Sequence, residues 1–170
     1  MVRFLNLLIN FFWTVLGFTA IFWYWYIYKT DFWFYIFLVV SILPVMLPES
    51  IVGRLQLSNR KTFYEKLGVR LIRKVVQNGD WTRYVSKQVH AIIKNPSQAK
   101  KYKNSILVYE RYHILCFSFF FLTSIHCLAS ENYLFAGLIF ISNLFYNVLA
   151  ILLQQYNRVR ISGSRRHKVK

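Results

Sequence analysis

The feature that most constrains this chain is the segregation of its charges. Phe4–Tyr28, Phe32–Leu47, His113–Ala129 and Leu134–Leu153 contain no Lys, Arg, Asp or Glu, while the segments between and after them are crowded with charge. A bilayer imposes that pattern, because a charged side chain at the centre of a membrane helix costs roughly 2.5–3.5 kcal/mol on insertion scales. Only 16% of the residues are charged and 56% are hydrophobic, against about 25% charged in an ordinary soluble domain. The expected fold is an all-α integral membrane protein in one domain, residues 1–170, with four transmembrane helices arranged as two hairpins. The spans are placed at about 4–28, 32–47, 113–129 and 134–153. A basic cytoplasmic helical segment, 48–112, separates the hairpins, and a basic tail, 158–170, follows.

The first apolar run is too long for the core of a cleavable signal peptide and has no small-x-small site after it, so a retained span is expected. Lys29-Thr30-Asp31 makes a tight turn to the second run, set among Trp23, Tyr24, Trp25, Tyr26, Tyr28, Trp33 and Tyr35. Amphipathic rings favour the headgroup level, so this turn reads as an interfacial belt. The second run holds only sixteen residues and Pro44. At 1.5 Å per residue it reaches roughly 24 Å, short of the hydrocarbon thickness. Ser130-Glu131-Asn132 joins the third and fourth runs without a basic residue. Cys116 and Cys127 lie eleven residues apart on one helix, about 16 Å along its axis and too far for a disulfide.

The 22 Lys and Arg outnumber the 6 Asp and Glu, for a formal net charge of +16. All the basic residues except Lys29 fall before the first run, between the second and third, or after the fourth. The positive-inside rule then places both termini and the middle segment in the cytoplasm. No nucleic-acid motif accompanies the charge, so anionic lipid is the expected partner and nucleic acid is not. Within the middle segment Phe63, Leu67, Leu71 and Val75 recur at helical spacing, and Lys66, Arg70, Arg73 and Lys74 share another face. That is the pattern of a basic amphipathic helix on a membrane surface. Gln77-Asn78-Gly79-Asp80 ends it, a second helix is expected over Trp81–Lys94, and Pro96 opens a third that continues into the membrane.

The chain has no nucleophile elbow, Walker loop, dinucleotide-binding glycines or zinc-protease motif. Its most informative cluster is Glu110-x-x-His113. One helical turn apart, the carboxylate can orient the imidazole, and a histidine so held is a candidate general base; an interfacial polar cap is the plainer reading. Di-iron bundles need two such pairs and further glutamates, so no metal is expected. His90 sits beside the apolar positions Val85, Val89 and Ile93; His126 lies towards the outer side, where packing is expected; His167 belongs to the basic tail. Asn143, Tyr146, Asn147 and Gln154 share a broad face of the last run. They either hold helices together or line a polar cleft. Arg158 and Arg160 either snorkel to lipid phosphate or clamp the phosphates of a coenzyme.

Asn143-Leu144-Phe145-Tyr146, followed by Gln155-Tyr156-Asn157-Arg158-Val159-Arg160, resembles the end of the last span in the glycosyl-4,4'-diaponeurosporenoate acyltransferases of staphyloxanthin-type carotenoid biosynthesis. That family ends the span in Gln-Arg-Tyr-Asn-Arg-Pro-Arg; here Gln154-Gln155 stands for Gln-Arg and Val159 for Pro. Gly68-Val69-Arg70, Gly79, His90 and Glu110-x-x-His113 follow the family's order, and the resemblance spans about Leu47–Ile161. It implies transfer of a fatty acyl group from acyl-CoA or a similar donor to a sugar hydroxyl of a lipid-soluble glycoside, with no bound cofactor. On that reading His113, Glu110 and His90 are the candidate catalytic residues. Arg70, Lys74, Asn157, Arg158 and Arg160 are the candidate substrate- and donor-binding residues. The rivals are a membrane scaffold or accessory subunit, whose polar residues only hold helices together, and a transporter, which would need polar groups deep in several spans.

Overall fold

In a computed structural model, residues 2–76 and 96–166 are described. The expected Trp81–Lys94 helix, and with it His90, lies outside the described residues, as does His167. Among the described residues every regular element is helical: α1 (Val2–Ile27), α2 (Phe32–Ile42), α3 (Glu49–Arg54), α4 (Lys61–Lys66), α5 (Val69–Val75), α6 (Pro96–Ala129), α7 (Tyr133–Asn143) and α8 (Leu149–Arg166). A 3-10 turn, Leu43–Met46, extends α2, and a π turn, Leu144–Val148, joins α7 to α8.

Among the described residues three helical stretches are long and apolar enough to cross a membrane: Phe4–Ile27, Ser97–Ala129 and Tyr133–Ile161. The segment expected as the second span is shorter, Phe32–Met46. Pro44 accounts for its change of form, because proline has no N–H for the α-helical ladder, and the chain tightens into the 3-10 turn around it. The start of α2 follows from Asp31, whose carboxylate accepts from the Trp33 and Phe34 amides and satisfies two of the four orphan N–H groups of a helix start. Pro96 opens α6 as its sequence position implied, and the helix then runs unbroken for 34 residues. At 1.5 Å per residue that is about 51 Å, well beyond a hydrocarbon core of about 30 Å, so its Lys100-Lys101-Tyr102-Lys103 end has length enough to stand clear of the apolar layer.

The chain divides into two compact units. The first comprises residues 1–12, 56–110 and 152–170. Its amphipathic segment is two short helices instead of the single helix that periodicity implies. The break is at Gly68, whose φ of 78° is left-handed and is open to glycine at little cost. The break also changes which face is covered. Tyr64 and Val69 are fully buried, whereas Phe63, Leu67 and Leu71 are exposed, Leu71 at 66%. These three members of the apolar stripe read from the sequence are therefore left uncovered, with Lys66, Arg70 and Lys74 also exposed.

The second unit, residues 13–55 and 111–151, holds an aromatic core. Ile21, Tyr24, Trp25, Phe37, Phe119, Phe120, Cys127, Ala136 and Ile139 form one buried cluster. Its rings meet edge to face, as Phe18–Phe120 at 5.1 Å and Phe34–Phe119 at 5.6 Å, the arrangement that aromatic quadrupoles favour. His126 is clasped within this unit: its Nδ1 lies 2.8 Å from the Tyr24 hydroxyl, and its ring stacks on Trp25 at 5.4 Å. Packing, as expected, is what this histidine does. Cys116 and Cys127 are free and buried.

Candidate active site

Among the described residues polar side chains collect in both units. In the first unit Glu110 of α6 is fully buried and forms an ion pair with Arg158 of α8, Nη2 to Oε1 at 3.2 Å. The carboxylate expected to steer His113 is thus engaged with an arginine 48 positions away. Its other oxygen is buried with no hydrogen-bond partner among the described residues. The Gln155 side chain, one turn before Arg158, accepts from the Leu57 amide at 3.1 Å. The Tyr64 hydroxyl lies 3.2 Å from the same amide oxygen and 2.9 Å from the Ser58 carbonyl. Burial pushes the Tyr64 phenol above its ordinary value, so it stays a neutral donor.

Glu65 is the hub of a second, more exposed set. It pairs with Arg70 at 3.0 Å and with Lys61, one helical turn earlier, at 3.4 Å, and accepts from the Tyr156 hydroxyl at 3.2 Å. Partial burial pushes the Glu65 carboxyl up, but the three hydrogen bonds outweigh it and hold the group below the usual carboxylate range. Arg160 lies over the Tyr156 ring, 5.5 Å from its centre, a cation–π distance. Asn157 is half-buried, and Lys74 is exposed near the end of α5.

In the second unit His113 of α6 presents Nδ1 to Oδ1 of Asn147 at 3.2 Å. The Asn147 amide donates to Oδ1 of Asn143 at 2.9 Å, and the Asn143 amide donates to the Phe117 carbonyl at 3.1 Å. Both asparagines are buried, Asn147 completely. Beside them the Tyr146 ring meets His113 edge to face at 5.4 Å, and its hydroxyl lies 3.4 Å from that of Tyr112 and 3.5 Å from that of Thr14. Asn147 and Tyr146 sit in the π turn; such turns are rare and recur at functional sites. Gly17 of α1 makes the close approach of Tyr146 possible, since a Cβ at that position would stand 2.7 Å from the ring. Also in this unit, Arg111 donates to the Leu47 carbonyl at 2.7 Å.

Of the residues singled out from sequence, Glu110 and Arg158 are therefore brought together, Arg70 is tied to Glu65, and His113 is held by Asn147. Tyr64, Gln155 and Glu65 were not anticipated. The i, i+4 spacing of Lys61 and Glu65 was the available signal for the last. Among the described residues no group of three or more His, Cys, Asp or Glu is arranged to hold a metal ion.

The sequence model of the family described as glycosyl-4,4'-diaponeurosporenoate acyltransferase matches residues 48–167. No curated protein and no solved structure matches the chain.

Proposed function

The chain belongs to the glycosyl-4,4'-diaponeurosporenoate acyltransferase family, and from that premise we propose that it esterifies a sugar hydroxyl of a lipid-soluble glycoside, a glycosyl carotenoid, with a fatty acyl group. The observation that carries the reading is the family match itself, which takes in Glu110, His113, Arg158 and the asparagine pair of the last span. In the proposed reaction His113 is the general base. Its Nε2 removes the proton of the acceptor hydroxyl, the oxygen forms a bond to the carbonyl carbon of an acyl thioester, and the carbon–sulfur bond breaks. The thiolate leaves and recovers the proton. Acyl-CoA is a suitable donor, since its phosphates would be drawn to a surface bearing Arg70, Lys74 and Arg160. Arg158, engaged by Glu110, serves the framework instead.

The enzyme works at the cytoplasmic membrane of a bacterium, with four crossings and both termini inside. The one-sided placement of Lys and Arg supports that topology, and Phe32–Met46 would cross by thinning the bilayer around it. A greasy acceptor and a water-soluble donor can meet at such an interface. The same buried polar contacts would also suit a packing scaffold without activity. The discriminating experiment is to reconstitute the purified protein with a glycosyl carotenoid and radiolabelled acyl-CoA and follow the ester by chromatography. His113→Ala should remain folded in the membrane and lose about a hundredfold to ten-thousandfold in rate, the usual cost of losing a general base. Near wild-type transfer by His113→Ala removes the proposed mechanism and makes His90 the next base to test. Absence of transfer by the wild-type protein with any acyl thioester favours the scaffold.

A further inference from the structure

Hydrogen bonds have direction, and the chain of them ending at His113 has only one consistent direction. It begins at a group that can only accept, the Phe117 carbonyl. The side-chain atom of Asn143 facing that carbonyl must therefore be its NH2 group, at 3.1 Å; turned over, the amide would set two oxygens against each other. This fixes Oδ1 of Asn143 as the atom facing Asn147, so Asn147 in turn must donate through its NH2, at 2.9 Å. The atom of Asn147 left to face the imidazole is Oδ1, an acceptor, 3.2 Å from Nδ1. An acceptor there requires a proton on Nδ1. A neutral imidazole with its proton on Nδ1 carries its lone pair on Nε2.

We propose that Asn147 and Asn143 are positioning residues for acyl transfer: the relay from the Phe117 carbonyl holds the His113 proton on Nδ1 and so keeps Nε2 bare to take the acceptor's proton. The inference rests on the reading of His113 as general base. The second atom of a base must be fixed if the first is to work, and in other hydrolytic and acyl-transfer sites a carboxylate or an amide does this for histidine. Here the amide is itself oriented by a further amide, and both are buried, so water does not compete for the bonds that set the direction. The π turn helps account for the arrangement, because it places Asn147 and Tyr146 in a widened helical turn directly after Asn143.

Two variants of one position separate orientation from packing. Leucine matches asparagine in shape but neither donates nor accepts, so Asn147→Leu keeps the volume and cuts the relay. Asn147→Asp keeps the acceptor; in its protonated form, which burial favours, it also donates to Asn143. The tautomer is read directly from the imidazole 15N resonances of the detergent-solubilised full-length protein, with His113 assigned by subtraction of His113→Gln. Spectra are taken near pH 8, above the ordinary histidine value of about 6.5. The wild-type protein and Asn147→Asp should show a protonated Nδ1 and a bare Nε2, while Asn147→Leu should move towards the Nε2–H tautomer that free imidazole side chains favour in water. In parallel, Asn147→Leu should lower kcat by at least about tenfold, but by less than removal of the base, with the acceptor KM unchanged. Asn147→Asp should retain most of kcat. Asn143→Leu, one bond further away, should shift both readouts in the same direction by less, and it carries the test if Asn147→Leu does not fold. A protonated Nε2 in the wild-type protein, or an unchanged tautomer in Asn147→Leu, overturns the relay. A shifted tautomer with unchanged kcat overturns the positioning role. Because the resonances do not depend on turnover, an active His113→Ala protein would refute the base while leaving the relay to be judged on its own.

Discussion

Removing either partner of the Glu110–Arg158 pair should destabilise the protein, but by unequal amounts, and the inequality follows from exposure. The Glu110 side chain has no accessible surface, while that of Arg158 retains 13%. Arg158→Ala leaves a carboxylate in a fully buried site, where it must remain unpaired or take up a proton. Breaking a buried pair in this way typically costs about 3–5 kcal/mol. Glu110→Gln is milder. The amide oxygen still accepts from the guanidinium, and the arginine, on a long stem near the surface, can swing its head towards water. The loss is then that of a charge-assisted hydrogen bond weakened to a neutral one, about 1–3 kcal/mol. The double variant, Glu110→Gln with Arg158→Met, leaves no buried charge and should be more stable than Arg158→Ala alone. The measurement is reversible unfolding of the purified protein in mixed micelles, with the yield of folded protein in membranes as a second readout. A Glu110→Gln variant as damaged as Arg158→Ala would refute the reasoning, because it would mean that exposure does not decide where the stranded charge is costly.

The remaining predictions are separate from that pair. Gly17→Ala places a methyl group 2.7 Å from the base of the Tyr146 ring, an overpacking worth about 1–3 kcal/mol; Tyr146→Ala should partly rescue it in a thermal melt, and Tyr146→Phe, which leaves the clashing ring in place, should not. Glu65 ionises below the usual carboxylate range, so the stability it contributes is present above about pH 4.3 and is lost as the pH falls through its folded-state value; Glu65→Gln should flatten that acid limb in a plot of stability against pH. Thr30→Cys and Gly163→Cys, tested with a membrane-impermeant thiol reagent, should label from opposite sides of the membrane if both termini are cytoplasmic, and labelling from one side would remove that topology.

Much of the helical framework was legible because its causes are local. Asp31 caps α2, Pro96 opens α6, and three of the four charge-free runs lie in helices able to cross a bilayer, while Phe32–Met46 is shorter. The errors have local causes too. Periodicity carried a single amphipathic helix across Gly68, because a 3.6-residue repeat persists on either side of a left-handed residue and does not register the break. Once the backbone turns there, Tyr64 and Val69 become the buried residues and Phe63, Leu67 and Leu71 are left uncovered. The π turn had no glycine or proline to announce it: Leu144–Val148 contains neither, and the close neighbour of its Tyr146 ring is Gly17, more than a hundred positions away in sequence.

The polar sites were harder to read for a different reason. Sequence proximity nominated Glu110 as the partner of His113, since one helical turn separates them. Yet spacing states only what can meet. A buried carboxylate takes the strongest compensation within reach, and a guanidinium offers full charge and a hydrogen bond where a neutral imidazole offers only the bond. Arg158 therefore has first claim on Glu110. The same reasoning bears on donor binding. For Arg158 to clamp a coenzyme phosphate it would have to release Glu110, and a fully buried carboxylate would then lose its countercharge. Arg70 can turn to a phosphate at far smaller cost, because its partner Glu65 is also held by Lys61 and Tyr156 and its own side chain is 62% exposed. Arg158, one of the two arginines in the family phrase, is thus the less free to leave its place, and the charge of the proposed donor is better sought at the exposed cations of α5.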